Sequence, residues 1–313
     1  MKIAVVGAGG LGGYFGGRLA FAGEDVRFIA RGAHLVALQA HGLRVESVLG
    51  DFALSGPHTQ ATAEPSIIGR CDIVLFTVKS YDTERAAREI LPSLIGPGTA
   101  VISLQNGIDN EEKLAAIIGA EHVVGGAAYI FAGIGEPGLI RHTGGPARLV
   151  FGELDGRASP RLDQFRAACE RAGIKAEVTE AIQSALWTKY AFICAVAGLT
   201  AATRRSIGVI RQTPATWQLF RTVLQEAVDV GRAEGVALPD DLVDRHIAAA
   251  QGLAPMLYSS LHDDLVAGRR IEVEATLGEL VRRAARAGVD APASATLYAV
   301  ILAQAASSEH TSG

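Results

Sequence analysis

Near the start of the chain lies the stretch KIAVVGAGGLGGYF (residues 2–15), in which an apolar run leads directly into closely spaced glycines. Three of them, Gly7, Gly9 and Gly12, form the pattern GxGxxG where a helical pattern begins. In such a strand, turn and helix, the first glycine permits the tight turn, the second lets the backbone approach a pyrophosphate, and the third allows close helix packing. The free N–H groups at the helix start attract the anion. The stretch therefore predicts a dinucleotide-binding loop made by Gly7, Ala8, Gly9, Gly10, Leu11 and Gly12.

A plainer interpretation is that these glycines only end a strand. The chain contains 36 glycines, so the pattern by itself is weak evidence. Its place inside a βαβ unit of roughly 30 residues favours the nucleotide.

The first half of the chain continues to alternate short apolar runs with helical patterns. Strands are expected at residues 2–6, 25–30, 72–78 and 100–104, and helices at about 10–22, 33–41, 82–94 and 110–118. Runs such as DIVLFTV are typical of parallel strands that are buried on both faces. Between residues 123 and 152, strands broken by Gly and Pro indicate an antiparallel end to the sheet.

After about Leu154 strands nearly vanish: a helix at about 160–172 and a short strand near 176–178 precede helical pattern almost to the end. We expect an α/β fold, with an N-terminal Rossmann-type dinucleotide-binding domain (1–154) and a C-terminal, mostly α-helical domain (155–306). The small polar residues 307–313 are expected to form a frayed tail. A one-domain barrel is the alternative for 313 residues, but two domains are the natural expectation at this length.

The composition bounds the class of partner. The net charge of −4 is spread along the chain without a basic stripe, so nucleic acid is not an expected partner. The uncharged stretch 190–203 is shorter than the roughly 20 residues that span a bilayer, which predicts a buried helix and no membrane association. Three cysteines without paired spacing fit neither a disulfide framework nor a zinc site, and they favour the cytoplasm. The eight histidines show no metal-binding spacing, so no metal is expected.

The end of the second strand bears on the choice of nucleotide. There a carboxylate would bind the ribose hydroxyls of NAD, but the strand VRFIA is followed by Arg31. An arginine can pair with a 2′-phosphate through charge-assisted hydrogen bonds, so NADP is favoured over NAD. The alternative is a solvated surface arginine.

Five segments together resemble the 2-dehydropantoate 2-reductase (ketopantoate reductase) family over nearly the whole chain. They are GAGGLGGYFGGRLA (7–20), FIARGAH (28–34), SLQNGIDNEE (103–112), LWTKYAF (186–192) and SSLHDDLVAGRRIEVE (259–274). The resemblance implies a dinucleotide-binding domain joined to a helical domain, and reduction of a 2-oxo acid to a 2-hydroxy acid with NADPH. In this family the reaction is the conversion of 2-dehydropantoate to pantoate in pantothenate biosynthesis. The expected partner is a small-molecule 2-oxo acid, and a homodimer is one assembly open to the chain.

The resemblance also implies roles for single residues. The two catalytic matches are Lys189, as the proton donor, and Glu272, as the acidic residue near the cofactor and the lysine. Ser260 matches a substrate-binding serine. Three further residues match positions near the cofactor: Asn106, which also contacts substrate, Lys79, and Ala132 through its backbone.

The residues themselves support these roles and leave alternatives open. Hydride arriving at a ketone carbon leaves charge on the oxygen, and the ammonium of Lys189 offers both a positive charge and a proton. Lys189 is the last charge before the uncharged stretch, whereas most lysines are solvated. Asn106 follows a strand at its carboxyl end, although Asn-Gly is also a favoured turn pair. Ser260 could instead be a helix N-cap, with Asp263 at an imperfect capping-box position.

The chain departs from the family at one helix face. Residues four apart share a face, which places Ile193 and Ala197 beside Lys189, at positions where ketopantoate reductases carry asparagines. Leu277 also stands where the family often has an asparagine. The apolar face predicts a substrate with a more apolar side chain, unless Thr200, Ser259 or water supplies the missing contacts. A non-catalytic NADPH-binding sensor is a further alternative, but it would not need Lys189 and Glu272.

Overall fold

The computed structural model describes residues 1–56 and 59–309, with side chains described up to residue 306. The chain forms two compact units. The first comprises Met1–Gln105 and Asn110–Ile182, and the second comprises Asn106–Asp109 and the chain from Gln183 onward.

In its described residues, the first unit is built on a ten-stranded sheet. Its strands are β1 (Lys2–Val6), β2 (Asp25–Ile29), β3 (Leu43–Ser47), β4 (Phe52–Leu54), β5 (Gln60–Thr62), β6 (Ile73–Phe76), β7 (Ala100–Ser103), β8 (Val123–Glu136), β9 (Leu139–Glu153) and β10 (Lys175–Val178). They lie in the order β4-β3-β9-β8-β7-β6-β1-β2-β5, with β10 beside β9. The pairs β2–β1, β1–β6 and β6–β7 are parallel, and β8 and β9 are antiparallel, as the sequence predicted. The predicted α/β class is thus confirmed.

Helices of the first unit cover the sheet. They are α1 (Gly10–Phe21), α2 (Gly32–His41), α3 (Thr83–Ile90), α4 (Asn110–Ile118) and α5 (Pro160–Arg171). Alternate residues of β1 enter two separate cores: Val5 packs in the cluster that contains Phe15 of α1, and Val6 in the cluster that contains Ile90 of α3. The central strands are therefore buried on both faces, which explains their continuous apolar runs.

The division between the units differs from the expected boundary at residues 154 and 155. Strand β10 pairs in parallel with β9, where Val178 lies opposite Phe151. Helix α5 packs on the same side, and the rings of Phe165 and Phe151 are 5.1 Å apart. Residues 155–182 thus bury their apolar face on the sheet and belong to the first unit. The short strands β3, β4 and β5 were also not predicted.

The second unit contains only helices and the loops between them in its described residues. It contains α6 (Ile182–Thr203, entering from the first unit), α7 (Ile207–Gln212), α8 (Pro214–Ala233), α9 (Leu242–Gln251), α10 (Ser260–Val266), a π-helix (Glu274–Gly278), α11 (Glu279–Ala287) and α12 (Pro292–Glu309). Helix α6 is long and apolar enough to cross a membrane, but most of it is buried inside the protein, as in a core helix. Because α12 extends to Glu309, the predicted tail is helical at residues 307–309, and residues 310–313 lie outside the described part.

Candidate active site

Each glycine of the GxGxxG loop meets a different steric demand. Gly7 has a φ of +98°, a conformation that side chains rarely adopt. A Cβ atom on Gly12 would lie 2.3 Å from the carbonyl oxygen of Gly7, whereas a Cβ on Gly9 would meet no atom within 4 Å. The space beside Gly9 is open to an approaching group, so the loop fits a bound pyrophosphate.

The start of α1 has the character of an anion site. The helix begins at Gly10, its N-cap Gly9 offers no side-chain cap, and its first turn holds no acidic residue. The first N–H groups of a helix have no partner within the helix, and together with the helix dipole they favour a bound phosphate. Ala132 also lies here: its carbonyl oxygen would be 2.3 Å from a Cβ on Gly10. The structure thus brings the backbone of Ala132 to the phosphate loop.

Two residues that the sequence interpretation missed make hydrogen bonds in or near this loop. The hydroxyl of Thr77 donates to the carbonyl of Gly7 at 2.6 Å, just past the end of β6. The Nδ1 atom of His34 accepts the N–H of Gly138 at 3.1 Å, so α2 is tied to the turn between β8 and β9. Burial lowers the pKa of His34, and the nearby backbone of Ala8 opposes this shift. His34 stands within the FIARGAH segment, which was its only signal.

Arg31 occupies the predicted place at the carboxyl end of β2, where it is also the N-cap residue of α2. Its side chain is exposed, and its Nη2 lies 3.7 Å from Oε2 of Glu89 on α3. The position agrees with a residue that contacts the adenosine ribose. The carboxylate beside it was not expected.

A buried network shapes the neighbouring strand ends. The side-chain amide of Gln105 donates to the carbonyl of Val78 at 2.9 Å and to the hydroxyl of Thr83 at 2.7 Å. Lys79 follows Val78 and is the N-cap residue of a short 3₁₀ turn (Ser80–Asp82), and it is half-buried. Gln105, which precedes Asn106 in the chain, therefore fixes the strand ends from which the predicted cofactor residues continue.

In the second unit, Lys189 is a half-buried residue of α6, between buried Trp187 and Tyr190. The hydroxyl of Tyr190 donates to the carbonyl of Thr276 at 2.6 Å. Thr276 belongs to the π-helix, and its own hydroxyl donates to the carbonyl of Glu272 at 3.2 Å. A continuous hydrogen-bonded path therefore connects the helix that carries Lys189 with the backbone of Glu272.

The hydroxyl of Tyr190 stays a donor in this path. Burial raises the pKa of Tyr190 well above its usual value, so the phenol keeps its proton. The N–H of Gly278 bonds to the carbonyl of Val273 at 2.9 Å, the spacing of a π-helix. Neither the π-helix nor the role of Tyr190 was predicted, and π-bulges are frequent at functional sites.

The two serines at the start of α10 have different roles. Ser259 is the N-cap of α10 and accepts the N–H of His262 at 3.1 Å, whereas Ser260 is exposed. The alternative that Ser260 caps the helix is therefore wrong, and Ser260 stays a predicted substrate residue. The hydroxyls of Ser259 and Thr200 are 2.7 Å apart, and the Thr200 hydroxyl also bonds to the carbonyl of Val196 at 2.7 Å. Both hydroxyls thus serve the contact between α6 and α10.

The predicted apolar face is present around α6. Ile193 is half-buried, and Ala197 and Leu277 are buried. A Cβ on Gly198 would lie 3.1 Å from Cδ1 of Leu277, so the π-helix packs closely on α6. Among the described residues, no group of acidic, histidine or cysteine side chains could hold a metal ion.

Comparison with known proteins agrees with this architecture. The family model described as ketopantoate reductase PanE/ApbA matches residues 3–156, and the model described as ketopantoate reductase PanE/ApbA C terminal matches residues 181–305. The chain is 33% identical over 301 residues to the uncharacterized oxidoreductase YkpB of Bacillus subtilis, covering 96% of this chain and 97% of that protein. It is also 33% identical over 296 residues to the 2-dehydropantoate 2-reductase of Mesorhizobium japonicum, covering 88% of this chain and 89% of that protein.

A solved structure extends the similarity to the fold. The crystal structure of a PanE/ApbA family ketopantoate reductase from Ralstonia eutropha JMP134 matches 99% of this chain and 100% of its own, with a TM-score of 0.90 and 34% identity. The fold and the glycine loop are those of the dinucleotide-binding class of proteins. Within that class, the chain belongs to the ketopantoate reductase family, as the resemblance implied.

Proposed function

We propose that this protein is a cytoplasmic NADPH-dependent reductase of a 2-oxo acid, with 2-dehydropantoate as the family substrate and pantothenate biosynthesis as its setting. The observation that supports the proposal is the hydrogen-bonded path from Tyr190 to Glu272, which links the helix that carries Lys189 to the backbone of Glu272. A protein that only sensed the nucleotide would need the glycine loop and Arg31, but not this framework.

The proposed mechanism assigns separate tasks to the chain's own residues. The loop from Gly7 to Gly12 binds the pyrophosphate, and Arg31 contacts the 2′-phosphate. NADPH supplies the hydride when it is bound. Lys189 donates a hydrogen bond to the ketone oxygen and then its proton, since negative charge develops there. Glu272 offsets the cost of partly burying the ammonium.

A second candidate substrate class rests on the apolar face. Ile193, Ala197 and Leu277 offer no polar group to a hydroxyl or an amide partner. Thr200 and Ser259 are already bonded to each other and to backbone atoms, so they are poor replacements for the family's asparagines. Each missing contact costs about 0.5–1.5 kcal/mol. This favours a 2-oxo acid with a more apolar side chain over 2-dehydropantoate.

The test is oxidation of NADPH by the purified protein with a panel of 2-oxo acids that includes 2-dehydropantoate. We expect turnover, and a higher kcat/KM for an apolar 2-oxo acid, with Ile193→Asn shifting the preference back. If 2-dehydropantoate exceeds every apolar 2-oxo acid by roughly tenfold, about 1.4 kcal/mol, the second candidate is wrong and the family reaction stands. NADPH binding without turnover of any 2-oxo acid would indicate the sensor instead.

A further inference from the structure

Near the nucleotide loop, Arg31 and Glu89 form an ion pair whose two members favour different nucleotides. Arg31 Nη2 and Glu89 Oε2 are 3.7 Å apart, and the two side chains are 56% and 54% exposed. The same Oε2 atom lies 3.5 Å from Nη1 of Arg85, whose Nη2 in turn is 2.6 Å from Asp82. Glu89 therefore pairs with Arg85 of its own helix and, through the same oxygen atom, with Arg31 of the neighbouring βα unit.

These two residues come from separate βα units. Arg31 follows β2, and Glu89 lies in the last turn of α3, which follows β6. Strands β2 and β6 both flank β1 in the sheet. The carboxyl ends of these parallel strands are where such sheets bind a dinucleotide. A carboxylate is thus present beside the arginine even though none follows β2 in the sequence.

The chemistry of the nucleotide's 2′ position gives this pair a consequence. A carboxylate can accept a hydrogen bond from the 2′-hydroxyl of NADH, whereas an arginine pairs with the 2′-phosphate of NADPH. A 2′-phosphate that approaches Arg31 must displace Glu89 or lie near its negative charge. A 2′-hydroxyl carries no charge and meets no such opposition.

We propose that Glu89 limits the preference for NADPH by competing with the 2′-phosphate for Arg31. The protein then binds both nucleotides, and its dissociation constants for NADH and NADPH differ less than they would without this carboxylate. The proposal rests on the proposed use of NADPH and adds the residue that sets the degree of selectivity. Exposed ion pairs are weak and screened, so removing the carboxylate should tighten NADPH binding by about two- to fivefold.

The experiment compares Glu89→Gln with a matched control, Glu84→Gln. Glu84 lies on the same helix, makes a similarly exposed pair with Arg88 at 3.6 Å, and loses the same charge on substitution. Dissociation constants for NADPH and NADH are measured by fluorescence titration at constant ionic strength. We expect Glu89→Gln to tighten NADPH and to leave NADH unchanged or weaker, whereas Glu84→Gln leaves the ratio of the two constants as in the wild type.

A double-mutant cycle with Arg31→Gln identifies the route of the effect. If Glu89 acts through Arg31, Glu89→Gln no longer changes the NADPH to NADH ratio in the Arg31→Gln background. An unchanged ratio in the single variant, or an equal effect in both backgrounds, overturns the role of Glu89 and leaves the proposed function standing. A wild-type protein that binds neither nucleotide overturns the proposed function itself.

Discussion

The two units of the molecule differ in what shapes their candidate sites. In the first unit the nucleotide loop is contiguous in sequence, and its geometry depends on missing side chains: Gly7 needs a positive φ, and Gly12 has no room for a Cβ. In the second unit the relevant residues come from distant segments, and single side-chain hydrogen bonds connect them. The Tyr190 bond, for example, spans 86 positions in the chain. Backbone sites of the first kind are visible in a sequence, and side-chain frameworks of the second kind are not.

The largest expected effect separates chemistry in the second unit from binding in the first. Lys189→Ala should lower kcat by roughly 100-fold or more while NADPH affinity stays nearly unchanged, because proton donation acts mainly in the transition state. Steady-state kinetics and nucleotide titration measure the two quantities. Lys175→Ala, at an exposed position of β10, is the control. A wild-type rate in the Lys189 variant would contradict the assigned mechanism.

The next prediction concerns two glycines of one loop. In Gly12→Ala the new Cβ would meet the carbonyl of Gly7 at 2.3 Å and the hydroxyl of Thr77 at 2.5 Å. Overpacking of this kind costs about 1–3 kcal/mol, so both the free energy of unfolding and NADPH affinity should fall. Gly9→Ala meets no atom, and losing a glycine N-cap should cost less than about 1 kcal/mol, yet the methyl group occupies the path of the pyrophosphate. If Gly9→Ala binds NADPH as tightly as the wild type does, the pyrophosphate does not approach the backbone at Gly9.

The third prediction tests the framework of the second unit. Tyr190→Phe leaves the carbonyl of Thr276 without its buried donor, which should lower the free energy of unfolding by about 1–3 kcal/mol. We also expect a lower kcat with NADPH affinity unchanged. Tyr298→Phe is the control, since it removes a hydroxyl that donates to Glu274 of the same π-helix at an exposed site. Equal losses of stability in the two variants would argue against a special role for Tyr190.

The same contrast explains which features the sequence predicted. The parallel strands of the first unit and the antiparallel β8 and β9 were predictable because each is a local pattern of apolar residues or turn signals. The short strands β3, β4 and β5 were not. Strands β4 and β5 have only three residues each, and β3 (LRVES) mixes polar and apolar residues, whereas β6 and β7 are continuous apolar runs. The compact units divide near residue 182 and not at the expected residue 154, because a helical pattern does not state which surface will bury it, and α5 and β10 pack on the sheet.

Within the candidate sites, the residues missed are those whose role depends on a distant partner. Arg31 could be placed at the end of β2, but nothing in the local sequence indicated that Glu89 of α3 would reach it. The choice between Ser259 and Ser260 as N-cap depended on a shift of a single residue, which lies below the accuracy of helix boundaries predicted from pattern. The roles of Lys189, Glu272 and Ser260 came from the family resemblance and stay predictions.

The smallest expected effect compares a half-buried histidine of the first unit, His34, with a buried histidine of the second, His246. Burial lowers the pKa of both His34 and His246 from the ordinary value of 6.5, so the folded protein favours the neutral rings. Just below pH 6.5 the unfolded chain therefore binds more protons than the folded protein. The contribution of the two neutral histidines to the free energy of unfolding is present above that pH, and it is lost as the pH falls toward the lowered pKa values. Protonation of His34 at Nδ1 would also remove the acceptor for the N–H of Gly138. We therefore expect the free energy of unfolding, measured by denaturant titration across this range, to decline less steeply with acid in His34→Gln and in His246→Gln than in the wild type.

The control is His41→Gln, at an exposed position of α2, which should keep the wild-type slope. The informative quantity is the slope with pH, because a change in packing alone would shift the stability of a variant equally at every pH. If His34→Gln keeps the wild-type slope, protonation of His34 does not contribute to the pH dependence of stability, and the hydrogen bond from Gly138 to His34 is not pH-sensitive in this range.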